Sequence, residues 1–320
     1  MSVSSPSDDS HPLLSTSVQG RAIGSLWRRV LAFIVDAMLV GIIGSIIAIP
    51  FYDAFCRMGN WARLVGFCIA LPYYAIFNSV VGKGQTIGKR LLSLEVVDAQ
   101  GRAISLETSF LRYAVFSVSA LLPGIILPVQ TPWIVSGLIY FVLLVSFFGT
   151  FYLVCFNRNT RQGLHDLAVG TYVVESGNPG PIHIRPIWKT HWIILGWILA
   201  IASVTGAFIA PRIEKTGSFP EMMQDMSFVQ ALPNVESVGV QDLRTTQLGS
   251  DESTRTFVIN VIWTGEPADE EEFAGQVADL IRQRDPNVNQ RDVLAVVIIR
   301  GFNLGITSHW TSRRFAYPLH

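Results

Sequence analysis

Three stretches hold residue types able to do chemistry. In "RRVLAFIVDAM" (28–38) an acid, Asp36, sits in an apolar run seven residues after Arg29. A carboxylate inside a membrane helix costs roughly 2.5–3.5 kcal/mol on insertion scales, so it marks either a helix-packing staple or a titratable, ion-coordinating acid. In "NRNTRQGLHDLAVGTYVV" (157–174), Arg158, Arg161, His165 and Asp166 cluster. An adjacent carboxylate tunes an imidazole for acid–base work. Sequence neighbours point apart on a helix or strand, however, and no nucleophile accompanies them. The pair reads as a local polar network or as a proton or ion relay. In "VGKGQTIGKRLLSLEVVDAQGRAIS" (81–105), "GKGQTIGKR" approaches a phosphate-binding loop but misses it. Lys83 stands where the first Gly belongs, and Arg90 where a hydroxyl residue belongs. It reads as a tight Gly-rich exit from the membrane, with Lys83, Lys89 and Arg90 at anionic inner headgroups.

The remaining candidates carry less. The acidic run 269–272 opens a helix and complements its dipole. His309 is alone, and no His/Cys/Asp spacing matches a metal ligand set. Cys56, Cys68 and Cys155 form no CxxC pair, so neither a disulfide framework nor a structural zinc site is indicated. No catalytic residue, cofactor or metal is expected, and the chain does not read as an enzyme.

Membrane spans must position the charged groups. Half the residues are apolar and 15% are charged, against about 25% charged in soluble domains. About 20 apolar residues cross the hydrocarbon core. Five stretches qualify: 30–50, 62–81, 111–129, 133–156 and 191–210. With the N-terminus inside, the inner segments hold twelve Lys/Arg and the outer loops two, Arg57 and Arg63. This is a positive-inside pattern with the C-terminus outside. On the first span Arg29 and Asp36 share a face, about 10.5 Å apart along the axis. A buried polar cluster is expected there, with Arg29 at its mouth, reaching toward Asp36 without fully pairing, and with Lys89, Arg90, Arg112 and Arg161 as the other inner-side partners.

Residues 1–24 are polar and Ser-rich, read as a disordered tail. Residues 25–176 form a four-helix membrane domain with a cytoplasmic hairpin at 82–104. Residues 177–211 are a linker and fifth span. Residues 212–320 change character, with ten Lys/Arg against fifteen Asp/Glu, while the rest of the chain has fourteen against nine. That acidic part is expected to be an extracytoplasmic α+β domain of order α-β-β-α-β-β, with an antiparallel sheet covered by helices. In "TRTFVINVIW", Phe257, Ile259, Val261 and Trp263 alternate onto one strand face. The charge split does not suggest a nucleic-acid partner.

Taken together, the Arg-x6-Asp of "RRVLAFIVDAMLV", "GKGQTIGKRLLSLEVVDAQGRAIS" and "RQGLHDLAVGTYVV" resemble the membrane domain of the RDD family over about residues 22–175. By position the family's arginine is Arg29 and its two aspartates are Asp36 and Asp166. Arg90, Arg161 and His165 are candidate supporting residues. The resemblance implies a multi-pass protein of the bacterial inner membrane, with transport, including cation/proton exchange, suggested for members. The expected function is transport of an ion or small solute, in contact with the lipid bilayer. The alternative is a membrane-anchored scaffold or sensor whose acidic domain binds an envelope protein. A homo-oligomer is a further candidate partner, since no inverted repeat is evident in the four core spans.

Overall fold

A computed structural model describes residues 21–120, 131–177, 182, 186–213, 219–246 and 253–319. Most of the expected tail, and the end of the expected third span at 121–129, lie outside the described residues. Residues 21–24 belong to no tail. Arg21 and Ile23 bridge to Ile182 and Val174, and the Gly24 N–H donates to Val173 O at 3.0 Å.

The first part of the chain is helical. Helix α1 (Leu26–Ala48) is followed by a short α2 (Tyr52–Met58) and by α3 (Ala62–Asn78). Then come the one-turn α4 (Ile87–Leu91), strand β1 (Leu94–Val97), α5 (Leu106–Ala120), α6 (Trp133–Phe156), the short α7 (Leu164–Val169), strand β2 (Tyr172–Glu175) and α8 (Lys189–Ile213). By length and apolar composition, Leu26–Ala48 and Ile134–Phe156 are long enough to cross a membrane, and α8 carries a shorter apolar stretch, Lys189–Thr205. Described α3 has 17 residues and α5 has 15, so their lengths alone do not establish the five expected crossings. Along α1 and α6 large apolar side chains face outward, among them Leu31, Ile34, Met38, Ile42, Leu138, Phe148 and Phe151. An apolar surface of this extent requires a non-aqueous neighbour.

Strand β1 pairs antiparallel with β2, Val96 opposite Val173. The expected hairpin at 82–104 is thereby corrected. Its turn forms at Asp98–Gly101, where the Gly101 N–H donates to Asp98 O, but the return arm is one bridge, Val97 to Ala103. Asp98 takes the Gln100 and Arg102 N–H groups, which ends the local ladder. The β1 edge is left to a partner about 80 residues away. The ion pairs Arg21–Glu95 and Arg28–Glu175, both 2.6 Å, tie this small sheet to the start of α1.

The C-terminal part runs α9 (Phe219–Gln230), β3 (Val235–Thr246), β4 (Ser253–Trp263), α10 (Glu270–Arg284), β5 (Val293–Asn303) and β6 (Ser308–Pro318). The order of elements is the expected one, but the sheet is mixed: β3-β4-β5-β6, with β4 and β5 parallel. The reason is α10, a helical crossover that returns the chain to the end where β4 began. Phe257, Ile259, Val261 and Trp263 do share the buried face, packed on Phe273, Val277 and Ile281 of α10. The acidic start of α10 is structural at Glu270, which pairs with Arg313 at 3.2 Å and Arg300 at 3.8 Å.

Candidate functional site

Asp36 lies on the inward face of α1 and is 1% exposed. Its Oδ1 accepts from Tyr73 Oη at 2.7 Å and from the Gly88 N–H at 2.7 Å, and its Oδ2 accepts from Thr86 Oγ1 at 2.5 Å. These bonds close the first turn of α4, whose leading N–H groups have no intrahelical partner. The Ile87 N–H donates to Tyr73 Oη at 3.2 Å, and the Lys89 N–H to Thr86 Oγ1 at 3.4 Å. The Gly-rich run allows this approach: a Cβ on Gly88 would sit 2.1 Å from Ala32 O. "GKGQTIGKR" is therefore a docking turn for an acid in an apolar helix, and three neutral donors offset the cost of burying Asp36 there.

Arg29 does not pair with Asp36. Its guanidinium donates to Arg161 O and, at 2.8 Å, to Val173 O. Arg161 has φ +49°. A non-glycine residue pays for that left-handed backbone, and the bond from Arg29 holds its carbonyl in place. Arg29 Nε is buried without a hydrogen-bond partner, as are Arg161 Nη1 and His165 Nδ1.

Asp166 belongs to a second knot. Its Oδ1 accepts from Arg112 Nη2 at 2.7 Å, from Arg112 Nε at 2.8 Å and from Thr171 Oγ1 at 3.0 Å. His165 Nε2 stands 3.5 Å from Oδ2. Burial works against ionisation of Asp166, but Arg112, aided by Arg29, outweighs it and holds the carboxyl below the usual carboxylate range. Burial brings His165 down to about 4, so its imidazole is neutral at pH 7. An imidazole in that state does not serve as a charged relay at neutral pH. Burial, reinforced by the Arg112 charge, brings Lys89 down to about 7. Lys89 Nζ donates to Asn78 Oδ1 at 2.9 Å.

The two knots share one cavity of about 350 Å³. Arg29, Asp36, Lys89, Arg112, His165 and Asp166 line its polar side, and Phe33, Phe116, Phe147 and Phe151 its apolar side. Tyr74 and Tyr113, which also line it, stack at 4.8 Å and join Phe67, Val40 and Ala70 in one cluster. The β5–β6 turn reaches the same layer: Ile306 packs on it. Leu304 O lies where a Gly66 Cβ would be, Ile306 closes on Gly44, and Ser45 Oγ meets Thr307 Oγ1 at 2.8 Å.

Of the expected residues, Arg29, Asp36, His165 and Asp166 reach the cavity, and Arg161 supports it through its carbonyl. Arg90 does not: it is exposed on the outer side of α4. Arg112 and Lys89 are central. Tyr73, Thr86 and Gly88 were not singled out from the sequence. Only the Thr-x-Gly spacing in the 82–90 run hints at a capped turn.

Residues 23–170 match the family model described as RDD family. Among curated proteins, none matches the chain.

Proposed function

We propose that this chain, whose residues 23–170 match the RDD family model, carries a small charged solute or ion across the bacterial inner membrane. The observation behind this is the charged cavity of about 350 Å³ between α1, α5, α6 and the loops after α3 and α6. In this proposal Asp36 is the organising acid, Arg29 and Asp166 fix the inner loops, and Lys89 is the wall group that changes charge near neutral pH. The Tyr74–Tyr113 layer closes the outer side. The chain crosses five times, N-terminus inside, with residues 212–320 outside. Twelve inner cations against two outer ones support that orientation. So does the docking of the β5–β6 turn at the Ala48–Ala62 end of the bundle.

The test is flux into reconstituted vesicles, followed for protons, sodium, chloride and small organic anions. Wild type is compared with Asp36→Asn at matched insertion. Asp36-dependent flux of at least one of these supports the proposal; none above protein-free vesicles removes it. A scaffold or sensor role has one observation in its favour, the docking of the C-terminal domain into the bundle. A partner captured by that domain, with no flux, would select it.

A further inference from the structure

The polar wall of the cavity is not charge-balanced. Below about pH 7, three cations, Arg29, Lys89 and Arg112, face two carboxylates, Asp36 and Asp166, while His165 is neutral. Asp166 is taken by Arg112, and Asp36 by three neutral donors. Among the described residues no carboxylate pairs with Arg29 or Lys89. Arg29 and His165, both lining residues, each keep a buried nitrogen without a partner, Nε and Nδ1, and buried polar groups rarely stay so without a ligand or water. The opposite wall is different. Phe33 on α1 and Phe147 and Phe151 on α6 are about half exposed. These residues both line the cavity and reach the outer apolar surface of α1 and α6, so the apolar side of the cavity meets that surface. A volume of about 350 Å³ suits a small ligand, and that apolar side lets a longer tail leave sideways.

We propose that this cavity binds an anion borne on an apolar tail, a carboxylate or phosphate headgroup on an acyl chain, with the headgroup on Arg29 and Lys89 and the tail between Phe33, Phe147 and Phe151. The proposal rests on the carrier function above and names its solute. A metal cation is disfavoured by the same surplus of positive charge.

Native mass spectrometry of the full chain, released from nonionic detergent, counts bound dodecanoate against dodecanol, with acetate and inorganic phosphate as competitors. The expected result is one dodecanoate per chain, occupied about tenfold more than dodecanol. Neither competitor at equal concentration should displace it, and Lys89→Met should lose it. Equal dodecanol occupancy overturns the proposal, as does displacement by phosphate or acetate, which marks a free-anion site. An unchanged Lys89→Met adduct, or a dimer that lacks the adduct, also overturns it. Should Lys89→Met fail to insert, wild type serves with dodecyl sulfonate, which stays ionised. Its occupancy is expected to fall severalfold between about pH 6 and pH 8 as Lys89 loses its charge, and constant occupancy counts against the site. Adduct without flux keeps the site and removes the carrier function; Asp36-dependent flux without adduct does the reverse.

Discussion

The Asp36 carboxylate accepts the Gly88 N–H at 2.7 Å, across 52 residues of sequence. That bond fastens α4 to α1. With Tyr73 and Thr86 on the same carboxylate, it turns a charge in an apolar helix into the anchor of the loop after α3.

Gly88→Ala places a methyl 2.1 Å from Ala32 O and forces α4 off α1. Overpacking of this kind costs about 1–3 kcal/mol. Thermal unfolding in detergent is expected to shift down by several degrees. Gly137→Ala, where nothing lies within 4 Å of the new methyl, is expected to leave it unchanged or slightly raised.

Asp166→Asn strands Arg112, which is 9% exposed. Breaking a buried pair on one side costs about 3–5 kcal/mol. A double mutant cycle with Arg112→Met is expected to recover part of that loss, because the stranded charge is gone. Additive losses would contradict the pairing. Since the Asp166 carboxyl is held low in the folded state, its contribution is present above the unfolded carboxylate pKa. It is lost only as pH falls below that value.

Asp225 on α9 titrates in the opposite sense. It is buried, its Oδ2 lacks a partner, and burial with the nearby Asp285 charge raises it to about 7. A carboxyl raised on folding stabilises the folded state below its unfolded pKa of about 3.9, and that benefit is lost as pH rises through about 7. Denaturant melts of the full chain, read by the Trp263 environment, are expected to weaken from about pH 4 to pH 7. Asp225→Asn should flatten that slope. An identical slope in the variant would contradict the assignment.

Ser45 and Thr307 bring their hydroxyl oxygens within 2.8 Å across the junction of bundle and C-terminal domain. The pair Ser45→Cys, Thr307→Cys is expected to cross-link under mild oxidation of the full chain, seen as a gel shift reversed by reductant. Failure to cross-link at normal abundance would contradict the docking of the β5–β6 turn.

Arg29, Asp36 and Asp166 were legible from the sequence because charge is rare in or beside apolar runs, so each stood out against its neighbours. Tyr73 and Thr86 were not. A tyrosine in an apolar helix and a threonine in a Gly-rich turn are ordinary, and only the fold brings both to one carboxylate. Arg29 shares a helix face with Asp36, and the two turns between them already speak against full pairing. The carbonyls at 161 and 173 that take its guanidinium are distant in sequence and give no local signal. The β1–β2 ladder and the parallel β4–β5 pair were missed for the same reason, since strand partners far apart leave no local pattern. The alternation of Phe257 to Trp263 is local, and the sequence shows it directly.

The most direct measurement is flux in reconstituted vesicles, wild type against Asp36→Asn at equal inserted amounts. Protons, sodium, chloride and organic anions, including short acyl carboxylates, are each driven by an imposed gradient. Wild type is expected to move at least one of them well above protein-free vesicles, and Asp36→Asn to fall to about a tenth of that rate or below. Equal rates in the two proteins, or no flux in wild type, would contradict the account.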